Sequence, residues 1–412
     1  MDNSEPAFAL VCVGSGGGPL ESDLSGYLLK PFNAGWEAGI LALEAGSGQG
    51  TLKRLLEQEP DLFKTQSSTN RTYSASEIYS FVRCFLITHA HLDHISSLVV
   101  STGSSGGPRK RVYAHPHTLE DLEGIYNWRI WPNLASYDEN DDEFKLLYSP
   151  IPANGSYHTV FPDVSVQLVP INHGTTDSGP YSSSAFFIRS DSHPSKREFL
   201  FFGDVEPDSI TSSTPKIINV WRKAAPMIPD TLSTIFIECS WPSGRPDNML
   251  HGHLTPEHLR DELVALATEV YYFRNSSSRG RLRPQRKRQR RTTLSADELR
   301  GLLTGVRVYI IHCKDQSSLD DGPSIRAIIA GQVRSLVQAA ELGAEILSAD
   351  QGMYISACFR FVLLFVFVFR IRLTAVSSRS YLKANKRISW DCSWDGTNLF
   401  VLHEGESGCC IT

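Results

Sequence analysis

From Thr88 to His94 the chain reads Thr-His-Ala-His-Leu-Asp-His, which puts three imidazoles and a carboxylate within six residues. They follow directly on the apolar run Val82–Thr88 (VRCFLIT). Imidazole nitrogen and carboxylate oxygen are donors that zinc accepts at about 2.0–2.2 Å. His89 and His91 can point one way from the turn that ends the strand. Asp93 and His94, on the first turn of a following helix, can serve a second ion about 3.5–4 Å from the first. A solvated turn seldom gathers four ligand-type residues behind a buried strand, so the motif predicts a metal centre.

One motif cannot complete two metal sites, and further donors stand where other strands should end. Val166–Pro170 runs into Ile171-Asn172-His173-Gly174, which predicts a histidine on the loop just past a strand. Phe199–Phe202 ends in Gly203-Asp204, an acid whose burial would be costly unless it were paired or metal-bound. His251-Gly252-His253-Leu254-Thr255-Pro256 precedes a helix, with Thr255 suited to the N-cap and Pro256 to the first helical position. His312 follows the apolar run VYII; it reads either as a structural histidine or as a group that orients a ligand or donates a proton to a leaving oxygen. His115-Pro116-His117 lacks an acid and is not expected to bind metal. Gly14–Gly18 has no following Gly-Lys-Ser/Thr, so it reads as a tight turn bordering the site and not as a P-loop.

These donors need a scaffold, and the chain supplies alternating β-rich runs, loops and helical patterns from Phe8 to about Ala349, the mark of a layered α/β architecture. Strands are predicted at Phe8–Val13, Ile40–Glu44, Val82–Thr88, Val112–His115, Val164–Pro170, Ala185–Arg189, Phe199–Gly203, Thr234–Glu238 and Val308–Ile311. Several are continuous apolar runs, as in strands buried on both faces. Helices are predicted at Gly50–Gln58, Leu92–Val100, Thr118–Trp128, Pro256–Val270 and Ile325–Leu342. The 412 residues, 41% hydrophobic and 21% charged, exclude wholesale disorder, collagen and a coiled coil. Eight cysteines without a paired CxxC spacing give neither a disulfide framework nor a cysteine zinc site, which points to a reducing compartment. The acidic start MDNSEPAFALVCVG reads as a first strand and not as a secretory signal.

Net charge is −5, although Arg279–Arg291 (RGRLRPQRKRQRR) carries eight basic residues, so the rest of the chain is distinctly more acidic. Such a body repels nucleic-acid polymers, whose binding depends on many Lys and Arg contacts. Any nucleotide chemistry should therefore concern small substrates. Three segments are expected: a catalytic domain over 1–350, a basic solvated insertion at 275–293, and an atypical tail over 351–412. The tail contains FVLLFVFVF at Phe361–Phe369, too short for a membrane helix of about 20 residues. It reads as a buried or aggregation-prone strand, and the shift in composition after Gly352 raises a translated intron over roughly 352–380. Cys409-Cys410-Ile411-Thr412 is a weak match to a prenylation box.

Taken in order, HxHxDH, His, Asp and His form the pattern of the metallo-β-lactamase superfamily, and the chain resembles the class II cyclic-nucleotide phosphodiesterases of the fungal low-affinity type. The stretches that carry this likeness are Gly14–Glu21 (GSGGGPLE), His89–Val100 (HAHLDHISSLVV), Ile130–Leu134 (IWPNL), Gly203–Asp208 (GDVEPD), Gly252–Pro256 (GHLTP) and Val308–Asp315 (VYIIHCKD). Ser97, the turn Ser101-Thr102-Gly103 and the basic insertion depart from the family pattern and leave the ligands in place.

The resemblance implies an αββα metallo-β-lactamase-like sandwich with two zinc ions, or other divalent metals. His89, His91 and His173 would hold one ion, and Asp93, His94 and His253 the other, with Asp204 bridging. Asp93, Asp204 and His312 are the expected catalytic residues. Water activated between the ions would attack phosphorus in line with the 3′ oxygen, turning 3′,5′-cyclic AMP, and cyclic GMP in the same way, into the nucleoside 5′-monophosphate. The rival readings are a tRNA 3′-processing endonuclease of the same superfamily and a catalytically silent binding protein. The expected partner is a small cyclic nucleotide, with no polymeric nucleic acid and no stable membrane span; a homodimer is compatible with the sequence. The expected location is the cytoplasm, with nuclear entry through the basic run as the alternative.

Overall fold

The computed structural model describes residues 5–64, 71–177, 179–277, 294–314, 323–357, 390–393 and 401–404. The basic run Arg279–Arg291, the apolar run Phe361–Phe369 and the terminal Cys-Cys-Ile-Thr lie outside these residues.

Strands follow the chain into two sheets. The first holds β1 (Phe8–Gly14), β2 (Gly26–Pro31), β3 (Ile40–Leu43), β4 (Val82–Leu86), β5 (Lys110–Ala114), β6 (Ala135–Ser136) and β7 (Leu146–Pro150). The second holds β8 (His158–Phe161), β9 (Val164–Thr176), β10 (Gly179–Ser190), β11 (Glu198–Phe202), β12 (Leu232–Glu238), β13 (Arg307–Ile311) and β14 (Glu345–Ser348). A last strand, β15 (Tyr354–Ala357), returns to the first sheet and pairs antiparallel with β1, Phe8 facing Ala357 and Val11 facing Tyr354. The first sheet therefore extends past residue 350 and takes in the beginning of the segment read as an atypical tail. Within residues 363–412, β16 (Trp390–Ser393) and β17 (Val401–Glu404) form an antiparallel pair.

The period of two along each strand explains the layers. On β1, Phe8, Leu10 and Cys12 face the interior between the sheets, while Val11 and Val13 face outward under helices. On β11, Phe199 and Phe201 point inward, and Leu200 and Phe202 point out to a second helical layer. Both faces of such strands are buried, which is why they read as unbroken apolar runs. Phe236 stacks on Tyr309 at 4.9 Å at the centre of the interior. Each fully buried side chain of this kind contributes about 1.5–3 kcal/mol.

Helices α1 (Gln49–Gln58), α2 (Ala75–Phe81), α3 (Leu92–Ser101) and α4 (Pro116–Glu123) cover the first sheet. The second is covered by α5 (Ile217–Ala224), α6 (Pro256–Ser277), α7 (Ala296–Leu299) and α8 (Ile325–Ala339). Ser74 and Glu77 close a capping box at the start of α2, satisfying two N–H groups that the helix leaves unpaired. On α6, Leu259, Leu263, Leu266, Ala267 and Val270 lie on one helical face and are all buried. No helix among the described residues is long and apolar enough to cross a membrane.

The pairings β3–β4, β4–β5, β11–β12 and β12–β13 are parallel, so their C-terminal ends lie at one edge of each sheet. Open α/β sheets gather their functional loops at such ends.

Candidate metal centre and active site

Four strand ends, one hairpin and the loop before α6 build the centre. β4 delivers His89 and His91, and α3 begins at Leu92, so Asp93 and His94 stand on its first turn as expected. An acid there also favours the helix's N-terminal dipole. Asp204 follows β11, Glu238 ends β12, and His312 follows β13. His173 is not on a loop, contrary to the sequence expectation. It lies inside β9, because the β9–β10 ladder continues beyond Pro170 through Ser182–Asn172 and Gly179–Thr176.

The ligand-type atoms converge in three groups: His89, His91, His173 and Asp204; Asp93, His94, Asp204 and His312; and Glu238, His253 and His312. In the first, Nε2 of His89 and of His173 lie 3.7 and 3.6 Å from Asp204 Oδ2, and Nδ1 of His91 lies 3.2 Å from His173 Nε2. In the second, His312 Nε2 lies 3.0 Å from Asp93 Oδ2, 3.3 Å from Asp204 Oδ2 and 3.1 Å from His94 Nε2. His94 Nε2 lies 3.3 Å from Asp204 Oδ1. Donors at about 2.0–2.2 Å from one tetrahedral ion stand a little over 3 Å apart, the spacing found in both groups. His253, expected among the second ion's ligands, instead has its Nδ1 2.9 Å from Glu238 Oε1 and 3.8 Å from Asp204 Oδ2. His115, His117 and His251 belong to none of the groups.

Outward hydrogen bonds set the tautomers. His89 Nδ1 meets Thr88 Oγ at 3.0 Å, and His173 Nδ1 donates to the Gly252 carbonyl at 2.9 Å. Ser240 donates its hydroxyl to Glu238 at 2.7 Å, leaving its oxygen to accept from His312 Nδ1 at 3.0 Å. The Gly252 carbonyl fixes the proton of His173 on Nδ1 and turns an unprotonated Nε2 toward the cluster, as a metal ligand requires, and the hydroxyl partners of His89 and His312 accommodate the same tautomer. His89 Nε2 is buried without a hydrogen-bond partner, a costly state for a polar atom unless a cation completes it. The donor set thus fits divalent metal on this chain's own geometry.

Electrostatics agree. Burial holds His89 well below the ordinary histidine value, pushes His173 down to about 3 and lowers His91 and His312. These shifts favour the neutral ring, the form that ligates. Burial opposes the charge of Asp93 and Asp204, yet the surrounding histidines outweigh it and hold both acids low, in the ionised form. His94 differs: burial works against its proton, but Asp204, Asp93 and Glu44 surround it and raise it well above its usual value. A cation among the same carboxylates would displace that proton, so metal uptake should release it.

Sequence reading missed four supporting residues. Glu44, after β3, approaches His94 Nδ1 at 3.6 Å and accepts from the Thr88 N–H. Glu238, fully buried, accepts from the N–H of Val205, Ser240 and Leu254 as well as from His253. Ser240 links Glu238 to His312, and Tyr181 stacks on His91 at 4.8 Å and 7° while its hydroxyl donates to Asp121. A signal for the two acids was present: Glu44 and Glu238 each end an apolar strand, as Asp204 does.

This sandwich, with paired His/Asp ligand clusters at its strand ends, defines a metal-dependent hydrolase of the metallo-β-lactamase fold. The family model described as "cAMP phosphodiesterases class-II" matches residues 52–352, and the chain belongs to that family of 3′,5′-cyclic-nucleotide phosphodiesterases. A 3′,5′-cyclic-nucleotide phosphodiesterase of Schizosaccharomyces pombe is 32% identical over 283 residues, covering 65% of this chain and 78% of that one. A probable 3′,5′-cyclic-nucleotide phosphodiesterase of Yersinia pestis is 28% identical over 352 residues, covering 85% and 89%. The crystal structure of unliganded yeast PDE1 superposes with a TM-score of 0.66 at 24% identity, covering 84% of this chain and 98% of that one, and shares the fold.

Proposed function

We propose that the centre binds two divalent ions, zinc first among them, and cleaves the P–O3′ bond of 3′,5′-cyclic AMP, with cyclic GMP as a second substrate. His89, His91, His173 and Asp204 would hold one ion, and Asp93, His94, His312 and Asp204 the other, with Asp204 common to both. Bound there, such a pair supplies Lewis-acid polarisation of phosphoryl oxygens and acidification of water.

His253 then serves proton delivery in place of ligation. Glu238 accepts its Nδ1–H, which leaves Nε2, on the opposite side of the ring, free to carry a proton to the departing 3′ oxygen. The observation that carries this division is the 3.0–3.3 Å approach of His312 Nε2 to Asp93, His94 and Asp204, against the pairing of His253 with Glu238. Every proposed ligand comes from one chain, so the site needs no second copy. Cys12, Cys84, Cys239 and Cys313 are free and buried, in keeping with a cytoplasmic enzyme. Residues 8–357 would form the catalytic unit, with the basic run as an insertion between α6 and α7.

Zinc counting and hydrolysis assays on cyclic AMP and cyclic GMP test the reading. His312→Ala should hold one zinc in place of two. His253→Ala should keep both ions and lose about 10²–10⁴-fold in rate. The reverse pattern of metal loss would return His253 to the ligand set.

A further inference from the structure

His312 is the one histidine proposed for the second ion that no neighbouring ligand in the sequence accompanies, and its backbone sits at φ 58°, a region disfavoured for a residue with a side chain. Such a conformation persists only where the surroundings hold it. What surrounds it is the glycine-rich turn after β1. The His312 N–H donates to the Ser15 carbonyl at 2.6 Å, the Gly17 N–H donates to the Cys313 carbonyl at 3.1 Å, and Lys314 Nζ donates to the Gly17 carbonyl at 2.9 Å. The turn also lies on the imidazole itself. A Cβ on Gly17 would stand 2.4 Å from Cε1, 2.6 Å from Nδ1 and 2.8 Å from Nε2 of His312. The ring has little room to retreat, because it stacks between His94 and His253.

The turn is fixed in its own right. Asp23 accepts the Ser15 N–H on one carboxylate oxygen at 3.1 Å and the Gly16 N–H on its carbonyl at 2.9 Å, and its other carboxylate oxygen pairs with Arg326 on α8. Gln351 Nε2 donates to the Val13 and Ser22 carbonyls on either side. With the N–H groups of Ser15, Gly16 and Gly17 all engaged inside the protein, these three cannot cradle a phosphate as an anion-binding nest would.

We propose that the Gly14–Gly18 turn, braced by Asp23 and Arg326, is the positioning element of the second metal: it holds His312 in its left-handed backbone conformation and sets its Nε2 against Asp93 and Asp204. The proposal rests on the reading of His312 as a ligand. Gly17 is required because any side chain there occupies the volume of the imidazole, and of the first ion's ligands only the shared Asp204 meets His312.

The test titrates the metal-free full-length protein with zinc and counts bound zinc after equilibration in a zinc buffer, with thermal melting of the metal-free forms as the folding control. Gly17→Ala should keep one zinc at wild-type affinity and bind the second about 10–100-fold more weakly, the usual loss when a ligand's support is removed. Its hydrolysis should be restored in part by excess zinc. Asp23→Asn, which leaves the imidazole its space, should weaken the same site by about tenfold. Gly331→Ala on α8, where a Cβ meets nothing within 4 Å, should bind two zincs as the wild type does. If His312→Ala loses one zinc while Gly17→Ala and Asp23→Asn bind both normally, the proposal is wrong and the ligand reading stands. If His312→Ala itself binds both, the ligand reading fails and the proposal with it. Equal weakening of both sites in Gly17→Ala would also overturn it, and should that variant not fold, Asp23→Asn decides.

Discussion

The two ligand groups share Asp204 but are held by different physics. The first is three histidines and one carboxylate, supported by neutral partners: the Thr88 hydroxyl, the Gly252 carbonyl and the Tyr181 ring. Its His91 is exposed. The second adds Asp93, lies close to the Glu44 carboxylate, and is tied through Ser240 to Glu238. Two of its supports, Glu44 at φ 58° and His312 at φ 58°, occupy backbone conformations that cost about 1–3 kcal/mol each. The comparison teaches that one half of the centre is assembled mainly by a local motif and a hairpin. The other half depends on strained strand ends and charge brought together from across the chain.

Removing what the halves share should have the largest effect. Asp204→Ala takes a ligand from both groups, so both zincs should be lost, and the rate on cyclic AMP should fall more than about a thousandfold, since metal stabilisation of the transition state is worth several kcal/mol. Elemental analysis and initial rates check this; two retained zincs with near-normal turnover would refute the bridging role.

Paired changes in the supports should sharpen the distinction. Glu44→Gln should weaken zinc at the second group by about 10–100-fold and spare the first, because it neutralises the carboxylate behind His94. Tyr181→Ala should act in the opposite sense, loosening His91 by about tenfold, while Tyr181→Phe keeps the stack and should stay within about twofold of wild type. Zinc titrations of the three proteins decide it, and equal effects of Glu44→Gln and Tyr181→Ala on both sites would erase the proposed difference. The smallest effects belong outside both groups. His115→Ala, at a strand end like the ligands' but outside the cluster, should keep both zincs, and deletion of Ser278–Arg291 should leave the rate within about threefold, as surface connections usually allow. A loss comparable to that of a ligand variant would place either feature in the site.

Much of this centre was legible in advance because its chemistry is concentrated. His89, His91, Asp93 and His94 occupy one short motif, and Asp204 ends a fully apolar strand where an unpaired acid would be untenable. Glu44 and Glu238 end apolar strands in the same way and went unread, although the same cost of burying an acid applies to them. Tyr181 left no mark, since an aromatic residue on a strand is most often part of a core. The β9–β10 hairpin carried too many serines and glycines to announce its length, which depends on pairing between two strands and not on the residues of either.

His253 and His312 mark the limit. Each offers the same imidazole near a strand or helix boundary, and nothing in their neighbours distinguishes a ligand from a proton carrier. Sequence by itself determined the layered architecture, the donor types and most of the donors, because periodic burial and the cost of isolated buried charge act locally along the chain. Only the tertiary structure decided that His312 comes within 3.3 Å of Asp93, His94 and Asp204 while His253 turns to Glu238, because coordination depends on distances of a few tenths of an ångström between residues as many as 219 positions apart.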